Sequence, residues 1–306
     1  MKRVLITGAT GFIGSFLLKN LLDSSYQIAI IVRKESSFKR IIESLERVQI
    51  IYSDYTNFDE SESEILKFDP EIVYHLGWAG VDNTMHNNEN ILNVNIQSTL
   101  SLVNIILKGN VKTFIGLGSQ AEYGPCNCVI SEKQQTNPTT LYGIAKLTAY
   151  NIMNYNFKQN NIRFVWLRLF SSYGPADNEN WLIPYLIKSL SEGVTPELTK
   201  GEQIWDYIYI DDVVSAIVSC GENDKTIGIY NLGSGIGYQL KSVIENIRDI
   251  INPAMSLVFG TKSYAQNQIM VLQADNTKLR LDTGWNPSVQ LSEGLESTVT
   301  WFLNNK

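Results

Sequence analysis

The segment Val4-Leu5-Ile6-Thr7-Gly8-Ala9-Thr10-Gly11-Phe12-Ile13-Gly14 runs directly into the helical apolar pattern Phe16, Leu17, Leu18, Leu21 and Leu22, and it constrains the chain more than any other stretch. A short apolar run, glycines recurring at spacing three and a helical repeat read as a strand, a tight turn and a helix N-terminus. Gly8 frees the backbone to turn, Gly11 lets it approach a pyrophosphate, and Gly14 lets the helix sit close on the strand. Unpaired N–H groups and the positive end of the helix dipole then face the phosphates. A lone glycine triplet often marks only a turn. Lying between a strand and a helix, this one has the context that dinucleotide binding requires. The expected cofactor contacts here are Gly8, Thr10, Gly11, Phe12, Ile13 and Gly14.

Apolar runs at 28–32, 48–52, 72–76, 113–117 and 164–169 alternate with helical patterns at 36–45 and about 89–107. Continuously apolar strands separated by helices predict a parallel sheet covered on both faces, a doubly wound α/β fold of Rossmann type. At 306 residues the chain can bury a substantial core as one large or two modest domains. A net charge of −6 argues against nucleic acid or an anionic membrane as the main partner and leaves small molecules. Only Val4-Leu5-Ile6 separates Met1-Lys2-Arg3 from the glycine turn, too short an apolar run for a signal peptide. No stretch reads as a membrane span, so a cytoplasmic location is expected. Cys126, Cys128 and Cys220 suggest no disulfide framework, and with no Cys or His pair near Cys126 and Cys128, free thiols and no metal are expected.

In a Rossmann sheet the end of the second strand meets the adenosine ribose. An acid there suits the 2′-hydroxyl of NAD and a base the 2′-phosphate of NADP. Here Arg33 and Lys34 follow Val32, and Arg33 favours NADP(H), with NAD as the alternative; a merely solvated basic residue is the plainer reading. Asp54, with Tyr55, is placed to meet the adenine, or else it caps its own loop. Leu76, Gly77 and Trp78 follow the fourth strand, where the diphosphate and nicotinamide ribose would pass. Asn95 and Thr99 share one face of the long helix. Asn95 is expected either to support the catalytic helix or to form a polar stripe on a half-exposed one.

Ser119 ends the fifth strand, and Tyr142 and Lys146 stand one helical turn apart on a common face. An adjacent ammonium is expected to lower the phenol pKa so that Tyr142 can exchange a proton with an alcohol, while Ser119 bonds the same oxygen. A Tyr-x-x-x-Lys pair alone usually decorates a helix surface. Its meaning comes from its conjunction with the glycine turn and the serine-bearing strand end.

With these residues in place the chain resembles the extended short-chain dehydrogenase/reductase family, in its nucleotide-sugar epimerase/dehydratase branch. The matching pieces are 8–14, Asp54, His75-Leu76-Gly77, Asn95 to Thr99, Ser119 to Gly124, Tyr142 to Lys146, Leu167-Arg168 with Tyr173-Gly174-Pro175, and Asp206 to Val213, with an echo at 281–287. The resemblance implies Tyr142 as general acid/base, Lys146 on the nicotinamide ribose and Ser119 orienting the substrate oxygen. It implies Phe170 among the cofactor contacts, and a smaller interleaved C-terminal lobe for a nucleoside-diphosphate sugar that Gln120, Ser171, Ser172 and Asn180 would touch. The expected division is 1–170 plus 203–233 for the dinucleotide, and 171–202 plus 234–306 for the sugar nucleotide. The segment 201–212 is expected to return to the sheet, with Asp211 or Asp212 capping the next helix and Asp206 holding the two lobes together. A homodimer through the Asn95 and Tyr142 helices is the family expectation.

Departures from the family pattern narrow the reaction. Dehydratases place Asp-Glu directly after the strand-end hydroxyl residue, and epimerising reductases place a Cys two residues after it; here Gln120 and Ala121 stand there. What remains supports hydride transfer with one proton. The preferred expectation is NADPH-dependent reduction of a 4-keto-6-deoxy sugar nucleotide, as in making deoxy sugars for surface polysaccharides. An NAD-retaining 4-epimerase is the second, and a non-catalytic NADP sensor the third. Trp205 replaces the Arg that usually grips the diphosphate, and Arg280 or Lys278 is expected to supply that charge instead.

Overall fold

The computed structural model describes residues 1–54, 56–81, 85–265 and 268–305. Its main sheet comprises β1 (Lys2–Thr7), β2 (Tyr26–Val32), β3 (Gln49–Tyr52), β4 (Ile72–His75), β5 (Thr113–Ser119), β7 (Arg163–Leu169) and β10 (Gly228–Leu232). The spatial order is β3-β2-β1-β4-β5-β7-β10, with every neighbouring pair parallel. The order reverses between β1 and β4, so a crevice opens at their carboxyl ends, where ligands bind in such sheets. This is the doubly wound Rossmann-like fold expected from the alternating apolar runs.

The runs are apolar throughout because both faces are covered. Val4 and Ile6 pack on one side with Leu17, Leu18 and Leu21 of α1 (Phe12–Leu22) and Ile217 of α6 (Ile210–Glu222). Leu5 and Val73 face the other side, with Leu102 of α3 (Glu89–Lys108) and Met153 and Phe157 of α4 (Leu141–Gln159). Among the described residues α3 alone is long and apolar enough to cross a membrane, at a mean hydropathy of 1.2. It buries Asn95, Ser98, Thr99 and Ser101 as well as its apolar residues, and packs against α4 and the short α2 (Glu62–Phe68), the burial pattern of a core helix.

The helical pattern at 36–45 does not become an α-helix. A turn closes from Ser36 N–H to the Arg33 carbonyl, and a single 3-10 segment, Ile42–Arg47, follows. Only Phe38, Ile41 and Leu45 of this stretch reach the core, too little apolar face to offset the cost of nucleating a helix.

A second sheet lies beyond the carboxyl ends. It runs β11 (Gly237–Gln239), β9 (Ile204–Tyr209), β12 (Val271–Ala274), β6 (Cys128–Ile130), and β8 (Ser171–Tyr173) also pairs with β9. Helices α5 (Leu182–Ser191), α7 (Leu240–Ile251) and α9 (Leu291–Asn304) pack on one another beside it. The segment expected to rejoin the main sheet, 201–212, therefore supplies β9 to this second sheet, and β10 is the strand that returns. Two expectations for its acids also separate. Tyr209 is the N-cap of α6, and the Asp212 carboxylate instead accepts from Ser288 N–H, Ser288 hydroxyl and Val289 N–H. Asp211 lies in the first turn of α6 and does not cap it.

Asp206 is fully buried and accepts from Ser234 N–H (2.7 Å), Ser234 hydroxyl (2.6 Å), Gly235 N–H (2.9 Å) and Ala274 N–H (3.0 Å), tying β9 to the turn after β10 and to β12. Asp206→Ala leaves these donors unpaired in the interior. Urea denaturation should show a loss of about 3 kcal/mol, against less than about 1 kcal/mol for an exposed control such as Glu202→Ala.

Candidate active site

The glycine turn is closed by sterics. A Cβ on Gly14 would stand 2.0 Å from the Gly8 carbonyl oxygen, and one on Gly8, itself at φ +76°, 2.6 Å from the Gly77 nitrogen. Gly11 caps α1 without a side-chain bond, and the first turn holds no acid, so its N–H groups face the crevice unopposed. Thr10, Phe12 and Ile13 follow the same turn. The Thr7 hydroxyl accepts from Gly77 N–H (3.1 Å) and bonds His75 Nδ1 (2.8 Å), locking the ends of β1 and β4 together. Burial, then the Lys146 charge, pushes His75 down to about 3, so it is neutral and structural. Beyond Leu76 and Gly77, Asn95 grips Ala79 through both N–H (3.0 Å) and carbonyl (3.0 Å). Asn95 thus fixes the loop after β4, and it is buried and not part of a half-exposed polar stripe.

At the end of β5, Glu122 is the hub. Its carboxylate accepts from Ser119 N–H (2.9 Å), Trp166 Nε1 (2.9 Å) and Arg168 Nε (2.7 Å), with both members of the ion pair buried. Gly118 is needed because a Cβ would meet Trp166 Nε1 at 2.2 Å and Glu122 Oε1 at 2.5 Å. In the first turn of α4, Gly143 lets that helix approach, since a Cβ there would stand 2.5 Å from the Ala121 carbonyl oxygen. Thr140 caps α4 through Gly143 N–H. Strand end and helix start are thereby brought together, and Ser119 hydrogen-bonds Tyr142.

Lys146 is buried. Its ammonium donates to the Leu117 carbonyl (2.7 Å) and lies 3.9 Å from the centre of the Trp78 ring, against 6.0 Å for Tyr142. Tyr142 is stacked on His86 at 4.4 Å and lies in a T-shaped contact with Trp78, ring centres 6.4 Å apart. The expected lowering of the phenol is absent. Burial pushes Tyr142 up to about 12 against the opposing Ser119 bond, and burial pushes Lys146 down to about 7 against the pull of Glu122. The site is too dry to favour either charged form, and Lys146 faces Leu117 and Trp78 more closely than the phenol.

The remaining expected contacts divide. Arg33 is half-exposed at the end of β2, its one ion pair among the described residues being with Glu35 at 3.4 Å, and Lys34 is next to it. Asp54 is exposed and accepts from Thr56 N–H (2.9 Å), the loop-capping alternative; Tyr55 lies outside the described residues. Gln120 follows Ser119 with its Oε1 buried and unpaired among the described residues. Phe170 is buried beside Tyr123, Ile130, Leu272 and Ala274, and Ser171 and Ser172 pair with Tyr207 and Ile208. Asn180 is exposed after the 174–178 loop. Trp205 packs between that cluster and the larger core, its indole donating to Ile269 at 3.4 Å.

Arg280 and Lys278 do not supply the missing charge. Lys278 donates to the Ile229 carbonyl near the start of β10, and Arg280 donates to Asn286. Their helix, α8 (Thr277–Thr283), is tied through Asp282 to Asn223, whose carbonyl bonds Arg163 at the amino end of β7. Both therefore lie toward the edge of the sheet opposite the crevice. Sequence reasoning missed Glu122 as the hub and His86 as a neighbour of Tyr142, and it put Trp78 on the cofactor without placing it against that phenol. An acid three residues after Ser119 was the available signal for the first; His86 lies in a loop with no periodicity to read.

The family model described as NAD dependent epimerase/dehydratase family matches residues 4–233. CDP-abequose synthase of Salmonella typhimurium is 30% identical over 97% of each chain. A dTDP-4-dehydro-6-deoxyglucose reductase of Escherichia coli is 24% identical over 97% of this chain and 96% of its own. The crystal structure of UDP-glucuronic acid 4-epimerase from Bacillus cereus, in complex with UDP-glucuronic acid and NAD, superposes with a TM-score of 0.89 at 28% identity, covering 99% of this chain and 100% of that one.

The lowered Lys146 has a consequence for stability. The unfolded chain holds this proton up to about pH 10.5 and the folded one only to about 7. Unfolding takes up a proton between those values, so stability rises with pH across that window. Urea denaturation of the protein without dinucleotide at pH 7.0 and 9.5 should show this rise, and Lys146→Met should remove it.

Proposed function

The chain belongs to the NAD dependent epimerase/dehydratase family, and we propose that within it the protein is an NADPH-dependent reductase of a nucleoside-diphosphate 4-keto-6-deoxy sugar. It is an NAD(P)-dependent enzyme acting on nucleotide sugars. The observation that carries the finer reading is the end of β5. Ser119, Tyr142 and Lys146 converge there, and Gln120 and Ala121 offer no second acid or base. The names borne by the Salmonella and Escherichia coli relatives support it. The glycine cradle and the unopposed N-terminus of α1 fit a dinucleotide diphosphate.

When bound, the dinucleotide supplies a hydride equivalent to the ketone carbon. Tyr142, pushed up to about 12, holds its proton at neutral pH and can donate it to the ketone oxygen. Ser119 holds that oxygen, with its backbone fixed by Glu122. In this reading Lys146 would bind the nicotinamide ribose, and its charge would then compensate the phenolate left behind. Arg33 and Lys34 would accept the 2′-phosphate. We assign the dinucleotide to the crevice of the main sheet and the sugar nucleotide to the side of the second sheet, with β9 (Ile204–Tyr209) on the latter and not in the 203–233 share expected for the dinucleotide, and with Trp205 stacking where an Arg usually pairs. Cytoplasmic action and a homodimer are part of the same reading, the homodimer supported by apolar Leu100 on α3 and Ile144 and Tyr155 on α4, which stay exposed.

A second reading, an NAD-retaining 4-epimerase, is favoured by the Bacillus cereus neighbour solved with NAD. Purified epimerase should carry its dinucleotide through gel filtration, whereas the reductase should not. With a panel of nucleotide 4-keto-6-deoxy sugars, NADPH absorbance should fall for at least one. Tyr142→Phe should lower kcat by about 10²- to 10⁴-fold while NADPH affinity stays within about threefold. Undiminished turnover would overturn the assignment.

A further inference from the structure

We propose that Trp78 orients the bound ligand, its indole N–H donating a hydrogen bond to a ligand oxygen at the reacting end of the crevice. The inference rests on the proposed function for the placement of dinucleotide and sugar. Trp78 Nε1 is buried and has no partner among the described residues. An indole nitrogen only donates, and a buried donor without an acceptor is rare in a native fold.

The surroundings of the ring hold it in place. Its backbone is pinned on one side by Gly77 N–H to Thr7 and on the other by the two bonds between Ala79 and Asn95. Its face carries the Lys146 ammonium at 3.9 Å, and it makes a T-shaped contact with Tyr142 at an interplanar angle of 84°. The ring that bears the free N–H is therefore held beside the two residues that would carry the chemistry. The fitting acceptor is an oxygen, either a hydroxyl or carbonyl of the sugar, or a ribose or carboxamide oxygen of the dinucleotide.

Trp78→Phe removes the N–H and keeps an aromatic face. Fluorescence titration with NADPH and NADH, and calorimetry with CDP-glucose and dTDP-glucose, separate the two sources. One ligand class should bind about fivefold to twentyfold more weakly, with the other within about twofold and the thermal midpoint unchanged; the weakened class owns the oxygen. Trp78→Tyr, which keeps a ring and a donor, should recover part of the loss. Unchanged affinity for both classes, or equal loss of both with a lowered midpoint, would overturn the proposal. If the wild type binds dinucleotide but neither sugar nucleotide, the proposed function fails and the dinucleotide arm alone decides Trp78. Binding of neither class overturns both.

Discussion

The Glu122 carboxylate is the interaction on which the site depends. A fully buried acid is tolerated only if its charge is paired and its oxygens are satisfied, and here Arg168 does the first while Ser119 N–H and Trp166 Nε1 complete the second. Those bonds join the end of β5 to the middle of β7 and fix the backbone of Ser119. The same requirement explains small neighbours, since Gly118 is what lets Trp166 and Glu122 lie against the strand. Removing either partner would leave an uncompensated charge in the interior, so the hub favours one geometry of the strand end over its alternatives.

Around that hub the site is dry, and dryness decides protonation. Both Tyr142 and Lys146 move toward their neutral forms, with Lys146 resting on an aromatic face and a carbonyl. A protonated phenol suits proton donation, which links burial to the direction of the proposed reaction. Ligand phosphates and a ribose would change this balance by adding charge and hydrogen bonds to the same small space.

Much of the fold was legible because it rests on local rules. The glycine turn and the continuously apolar strands identify a parallel sheet and its crevice without long-range information. Ser119, Tyr142 and Lys146 were legible through spacing and their place at a strand end and helix start. What escaped depends on tertiary context. The 36–45 stretch has helical periodicity but too small an apolar face to hold a helix. The 201–212 segment reads as returning to the main sheet, yet its strand 204–209 joins a different one, because nothing local specifies its partner. Arg280 and Lys278 carry the right charge at the wrong edge. The phenol shift was misjudged because spacing along a helix gives proximity and says nothing of where the ammonium points.

The central claim is that this site adds hydride and one proton to a sugar ketone. The most direct measurement uses NADPH deuterated at the transferring position, incubated with the enzyme and a nucleotide 4-keto-6-deoxy sugar, with the product analysed by mass spectrometry. The account predicts one deuterium retained at carbon 4 of the sugar, with stoichiometric oxidation of NADPH. Product formed without label and without net NADPH oxidation would contradict it and point to a dinucleotide that never leaves the protein.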